Sequence, residues 1–234
     1  MFIRIASVLA IVFINLAAYA ADTQAVKKAD KILFFGDSIT QGGGGAKGYI
    51  TVFKNAMDAK HPDFALEYVN AGISGHKVTN LQARVQKDVL DKKPTIVFIY
   101  IGINDVWHFT HPNTKGQGTP KDQFEQGLKD LVAKISAAGA RVLLCTPSVI
   151  GEKTGGQNPQ DTMLDEYADI SRKVAADTKT QLVDLRKAFL EHLKANNPEN
   201  KEKGILTGDR VHLNEAGNKL VASEMLKALG EELK

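Results

Sequence analysis

Five short apolar runs, each followed by a stretch that reads as helix, organise the 234-residue chain. "KILFF" at 31–35 is closed by Gly36, and "FALEYVNAG" at 64–72 alternates and ends on glycine. "TIVFIYIG" at 95–102 is almost wholly apolar, as a strand covered on both faces must be. "RVLLCTP" at 141–147 stops at Pro147, and "TQLVDL" at 180–185 is a weaker fifth run. Helical spacing fills the gaps at 48–60, 78–90, 121–138, 161–178 and 185–195; the first of these puts Tyr49, Val52, Phe53, Ala56 and Met57 on one face. A last helix is expected to start at Asn214 as its cap and to bury Leu220, Val221, Met225 and Leu229. Strand then helix, repeated about five times, implies one α/β domain: a parallel sheet with helices on both faces. A 43% apolar content supplies the core that such a domain needs.

Ligands of such sheets bind beyond the carboxyl ends of the strands, near the point where strand order reverses. The first strand usually borders that point, and its carboxyl end is Gly36-Asp37-Ser38. Three long polar loops, 106–120, 151–160 and 196–208, remain; the first two follow strands directly and are expected to rim the same edge.

Ahead of the domain, "MFIRIASVLAIVFINLAAYA" has Arg4, an apolar run and then Ala18-Tyr19-Ala20. A charged start, a hydrophobic middle and a small-x-small end predict a secretory signal over 1–20, cleaved after Ala20. Residues 21–30 then form a linker and 31–234 the domain. The expected location is secreted or periplasmic, with no stable membrane insertion after cleavage, since Asn15 interrupts a run of about the minimum length for a span. The single cysteine, Cys145, lies in a predicted buried strand and cannot form an intrachain disulfide. Thirty Lys/Arg are interspersed with 27 Asp/Glu for a net charge of +3, which reads as a solvated surface and excludes a dense basic face for nucleic acid.

"GDSITQGGGG", residues 36–45, offers both a glycine-rich loop for phosphate and a nucleophile, Ser38. The phosphate reading fails on position. Lys47 is followed by glycine, so the hydroxyl that a P-loop gives to magnesium is missing. Gly43-x-Gly45-x-x-Gly48 matches a dinucleotide string but starts seven residues beyond Gly36, outside the tight turn that leaves the strand. No nucleotide cofactor is expected, and the glycines are read as a flexible or close-packed loop beside the site.

A serine at the start of a helix just past a strand projects into the crevice, but it needs a base, and the base needs an orienting acid. His212, in "GDRVHLNEAG", stands three residues after Asp209 and just before the last helix. A carboxylate so placed can hold one ring nitrogen while the other faces outward, which fixes the tautomer of a general base. By itself Asp-x-x-His is as readily a surface turn. Oxyanion donors are available in "GIND", where Asn104 offers its amide, and in "NAGISG", whose glycines let a backbone N–H approach a substrate. Asp105 is a second possible acid, less well spaced than Asp209.

Taken together, "GDSIT", "NAGISG", "GIND" and "DRVH" resemble the four blocks of the SGNH hydrolases, also called GDSL esterases/lipases. The resemblance extends from about residue 31 to the end. It implies a flavodoxin-like three-layer α/β/α sandwich with a central five-stranded parallel sheet, and ester hydrolysis without metal or other cofactor. It maps the nucleophile to Ser38, the base to His212 and its acid to Asp209, with an oxyanion hole of Ser38, Gly75 and Asn104.

The substrate is less constrained. Trp107 and Phe109 in "VWHFTHPNTKGQG" could stack on a sugar or wall an acyl pocket, with His108 beside them. Asp37 is a candidate either for substrate contact or for capping the turn after the first strand, and capping is preferred. His108 and His111 have i, i+3 spacing, but no cysteine or carboxylate cluster joins them, so no metal is expected. The absence of a lid-like apolar helix, together with export and a polar rim, favours short-acyl esters, above all acetyl groups on carbohydrate, as small-molecule or carbohydrate substrates. The alternatives are a lysophospholipase or thioesterase of the same family and, in another class, a non-catalytic carbohydrate-binding protein.

Overall fold

The computed structural model describes residues 25–233; the leader expected over 1–20 lies outside them. The strands are β1 (Lys31–Gly36), β2 (Glu67–Gly72), β3 (Ile96–Tyr100), β4 (Arg141–Cys145) and β5 (Gln181–Val183). The helices are α1 (Ser38–Gly42), α2 (Tyr49–Lys60), α3 (Val78–Asp88), α4 (Ile103–Trp107), α5 (Lys121–Ala137), α6 (Asp161–Asp177), α7 (Leu185–Asn196) and α8 (Glu215–Ala228). All strand pairs are parallel, in the order β2-β1-β3-β4-β5. The chain therefore steps outward from β1 to β2, then crosses back over β1 to β3. The reversal lies between β1 and β3, which fixes the crevice above their carboxyl ends. Helices α2, α8 and α7 pack in one series and α3, α5 and α6 in another, giving the α/β/α layering.

Why β1 holds its end so firmly is legible in its neighbours. Ile32 to Gly36 are all buried, and β3 is buried over its whole length. Phe34 stacks on Phe98 with ring centroids 5.4 Å apart, and Phe53 of α2 meets both edge-on at 5.3 and 5.8 Å. Each such pair is worth about 0.5–1.5 kcal/mol beyond the area it buries. The two buried tyrosine hydroxyls beside these rings are partnered: Tyr49 donates to Thr40 Oγ1 at 3.0 Å and Tyr100 to Ser148 Oγ at 2.7 Å.

Three differences from the sequence reading have local causes. The strand expected over 64–72 forms only from Glu67, because Ala65 takes φ +50° and the Phe64 carbonyl accepts instead from Ala29 N–H at 2.7 Å. Val26, in the expected linker, is buried in the core. The loop expected from 106 begins after α4, a five-residue helix too short to show an amphipathic period. Two glycines of this loop are close-packed: a Cβ on Gly43 would lie 2.7 Å from the Tyr49 ring and one on Gly48 2.2 Å from the Gly43 carbonyl oxygen, whereas Gly42 faces open space. Cys145 is fully buried, and burial pushes its thiol pKa up. No helix among the described residues is long and apolar enough to cross a membrane.

Candidate active site

Ser38 is the first residue of α1, directly beyond β1, and Asp37 before it is the helix cap. The Asp37 carboxylate accepts from Ile39 N–H at 2.9 Å and the residue is 2% exposed. The structure thus places Asp37 as the cap, with its carboxyl buried. Burial also pushes the Asp37 pKa up to about 7, with Asp105 adding to the rise.

At the other end of the chain, Asp209 and His212 share a tight turn. Asp209 Oδ1 accepts from His212 N–H at 2.8 Å and Val211 N–H at 3.1 Å, and Oδ2 lies 2.7 Å from His212 Nδ1. His212 Nε2 lies 2.9 Å from Ser38 Oγ. Residues 174 positions apart in sequence are therefore in hydrogen-bond contact. With Nδ1–H committed to the carboxylate, Nε2 is left as the acceptor for the serine hydroxyl. Partial burial pushes the Asp209 carboxyl up, but the bonds from the His212 ring, His212 N–H and Val211 N–H outweigh it, and its pKa lies below the ordinary carboxylate value.

Strand register aligns the remaining candidates. Gly36 sits opposite Gly72 and Tyr100, so the turns after β1, β2 and β3 leave the sheet at one level. Gly75, exposed and at φ +76°, carries the turn after β2 through a conformation that glycine alone adopts freely. Asn104 of α4 is 4% exposed and donates one Nδ2–H to the His76 carbonyl at 3.0 Å. Its second Nδ2–H has no acceptor among the described residues. Ser74 N–H donates to Gln41 Oε1 at 2.8 Å, which ties the same turn to α1.

Asp105 is not the histidine's acid: it is fully buried and accepts from Val78 N–H at 3.1 Å, capping α3. Trp107 and His108 remain with their own loop. The Trp107 ring meets His111 edge-on at 4.6 Å, and the His108 carbonyl accepts from Gln117 N–H at 3.1 Å. Burial, and then the Lys77 and His111 charges, keep the His108 imidazole below its ordinary pKa. Among the described residues no cluster of three or more His, Cys, Asp or Glu is arranged to hold a metal. Concavities of about 510 and 480 Å³ lie elsewhere, beside Lys60 and beside Arg186, and neither is lined by Ser38, Asp209 or His212.

Sequence reasoning passed over Arg84. Its NH2 donates to the Gly36 carbonyl at 2.8 Å, its NH1 to the Ala71 carbonyl at 2.9 Å and its Nε to His76 Nδ1 at 3.0 Å. It lies 4.5 Å over the Phe35 ring. One guanidinium so pins the ends of β1 and β2 and the turn that carries Gly75. On a helix face, its signal is that of any solvated arginine.

A parallel α/β/α sheet with a serine, a histidine and an aspartate in successive hydrogen-bond contact at its switch point has the layout of a hydrolase, and the chain is a carboxylic ester hydrolase by its relatives. Residues 34–220 match the GDSL-like Lipase/Acylhydrolase family, and the chain belongs to it. It is 34% identical over 219 residues to the acetylxylan esterase of Geobacillus stearothermophilus, across 88% of this chain and 97% of that protein. A crystal structure of the acetyl xylan esterase AlAXEase superposes with TM-score 0.81 at 45% identity, covering 85% of this chain and 99% of the other. The esterase TesA of Pseudomonas aeruginosa is more distant, 27% identical over 189 residues, or 79% of this chain and 80% of that protein.

Proposed function

We propose that this protein is an exported acetyl esterase that removes acetyl groups from carbohydrate, xylan-derived oligosaccharides foremost, through Ser38, His212 and Asp209. The observation that carries the reading is the unbroken relay of 2.7 and 2.9 Å contacts from Asp209 through His212 to Ser38. Similarity to acetylxylan esterases supports the acyl group and the sugar. The leader-like residues 1–20 support export.

In this reading Ser38 Oγ attacks the ester carbonyl carbon while its proton passes to His212 Nε2. Asp209 stabilises the imidazolium. Negative charge on the carbonyl oxygen is held by the Ser38 and Gly75 N–H groups and by the second Nδ2–H of Asn104. The ester C–O bond breaks, the alcohol leaves with the proton from His212, and an acetyl-Ser38 ester remains. Water then adds to that ester with His212 again taking the proton, and acetate and free Ser38 result.

The test is a panel of acetylated xylooligosaccharides, lysophosphatidylcholine and p-nitrophenyl esters from C2 to C12, with fluorophosphonate labelling of the mature chain. Preference for C2 and release of acetate from the oligosaccharides are expected. A preference for C8 or longer overturns the acetyl reading, and a folded sample that the probe fails to label overturns catalysis by serine.

A further inference from the structure

The turn that delivers His212 to Ser38 has little regular structure of its own. Between α7 and α8 the described backbone makes one isolated bridge, Thr207 to Leu213. Arg210, at its tip, takes φ +92°, a conformation that side-chain-bearing residues rarely adopt and that surrounding contacts must enforce.

Those contacts converge on Gly151 and Glu152, in the loop after β4. Glu152 is 0% exposed. Its Oε2 accepts from Ile205 N–H at 2.8 Å. Its Oε1 accepts from Leu206 N–H at 2.7 Å, Thr207 Oγ1–H at 2.8 Å and Thr207 N–H. Glu152 N–H donates to the Glu202 carbonyl at 2.9 Å and Gly151 N–H to the Arg210 carbonyl at 2.8 Å. The Glu152 carbonyl accepts from Asn197 Nδ2 at 2.9 Å. No Lys, Arg or His among the described residues forms an ion pair with this carboxylate. Successive backbone N–H groups wrap it instead, as they wrap an anion in a nest.

A buried carboxylate without a cation is expensive unless donors saturate it, and donors to a charged acceptor bind about twice as strongly as to a neutral one. Here the donors belong to the three residues that open the turn. Thr207 is followed by Gly208, whose N–H donates to the His212 carbonyl at 2.9 Å. Glu152 therefore grips the turn at its entrance and Gly151 grips it at its tip.

We propose that Glu152 is a positioning residue for the acid–base pair: it fixes the 205–207 backbone so that His212 Nε2 is presented to Ser38 Oγ. The inference rests on the functional reading above. A displacement of about 1 Å at a reacting group costs on the order of 10²-fold in rate, so the effect lies in kcat rather than in binding.

The experiment compares the mature chain with Glu152→Ala, Glu152→Gln and Leu131→Ala, the last a core truncation on α5 that matches a loss of stability without touching the turn. Three quantities are measured: kcat and KM on p-nitrophenyl acetate, the thermal midpoint, and the downfield proton resonance of the His212–Asp209 hydrogen bond, which needs no turnover. Glu152→Ala is expected to lose about 10²-fold in kcat with KM within about 2-fold, and to lose the resonance. Glu152→Gln, which keeps one carbonyl acceptor and the shape, is expected to recover about 10-fold of that loss. Leu131→Ala is expected to keep both rate and resonance at temperatures where it is folded. The proposal is overturned if folded Glu152→Ala or Glu152→Gln retains the wild-type rate and resonance, or if Leu131→Ala loses them equally. Should Glu152→Ala fail to fold, Glu152→Gln decides. A wild-type chain that hydrolyses no ester sinks the functional reading, while the resonance still reads the effect of Glu152 on the turn.

Discussion

Ser38 and Asn104 hang from the ends of β1 and β3, whereas Asp209 and His212 ride on a turn outside every strand and helix. Asn104 is 4% exposed, while the side chains of Asp209 and His212 are 54% and 45% exposed. The carboxyls differ in the same sense. Burial holds Asp37 at about 7 and Asp105 at about 6 on the sheet side, while hydrogen bonds hold Asp209 below the ordinary value on the turn. Environment thus separates a carboxylate that is ionised beside the imidazole from carboxyls that stay largely protonated in mildly acidic solution. The comparison teaches that the sheet side inherits its geometry from register and core packing. The turn must be held by discrete hydrogen bonds, and those are easier to remove one at a time.

The largest test of the comparison removes the point where the halves meet. Ser38→Ala is expected to lower turnover of p-nitrophenyl acetate by ~10⁴-fold or more, and wild-type rates in a purified variant would break the relay. On the sheet side, Asn104→Ala is expected to cost ~10²–10³-fold in kcat with little change in KM, since in the proposed mechanism its amide acts on charge that develops only in the transition state. An equal rise in KM instead would make Asn104 a binding group. Gly75→Ala is milder: a Cβ there meets nothing within 4 Å, so the cost is the strain of φ +76°, about 1–2 kcal/mol. A thermal midpoint unchanged by that substitution would show the turn to be freer than its dihedral implies.

The smallest effect is electrostatic. Asp105 is raised from 3.8 to about 6 by burial, so the unfolded chain ionises first. Its favourable contribution is complete below pH 3.8 and is lost as pH rises toward and through about 6. Asp105→Asn can still accept from Val78 N–H, and is expected to flatten the decline of the unfolding free energy between pH 4 and 6 in denaturant titrations. An unchanged slope would remove Asp105 as its source.

Much of the sheet side was legible in the sequence because each of its residues abuts a strand end. Apolar runs announced β1 and β3, with Gly36 and Asn104 at the turns that follow them, while Gly75, after β2, was singled out only by the family resemblance. Asn214 was also legible, and it accepts from Gly217 N–H at 3.0 Å as the cap of α8. Arg84 and Glu152 were not. A lysine- and arginine-rich surface hides one arginine, and a glutamate in a polar loop gives no sign that backbone N–H groups from 53 to 55 residues away will enclose it.

The sequence by itself determined the alternation of strand and helix, and with it which turns share one edge, because hydrophobic period and glycine stops are local properties. It also allowed the Asp209–His212 pairing, since three residues of spacing suffice for that contact, but did not by itself distinguish it from a surface turn. Only the tertiary structure decided that His212 reaches Ser38, that Asp105 turns inward to accept from Val78 N–H, and that Glu152 lies under the turn. Each of those depends on the distance between segments far apart in the chain, which packing of the whole sheet and its two helical layers sets and no local pattern encodes.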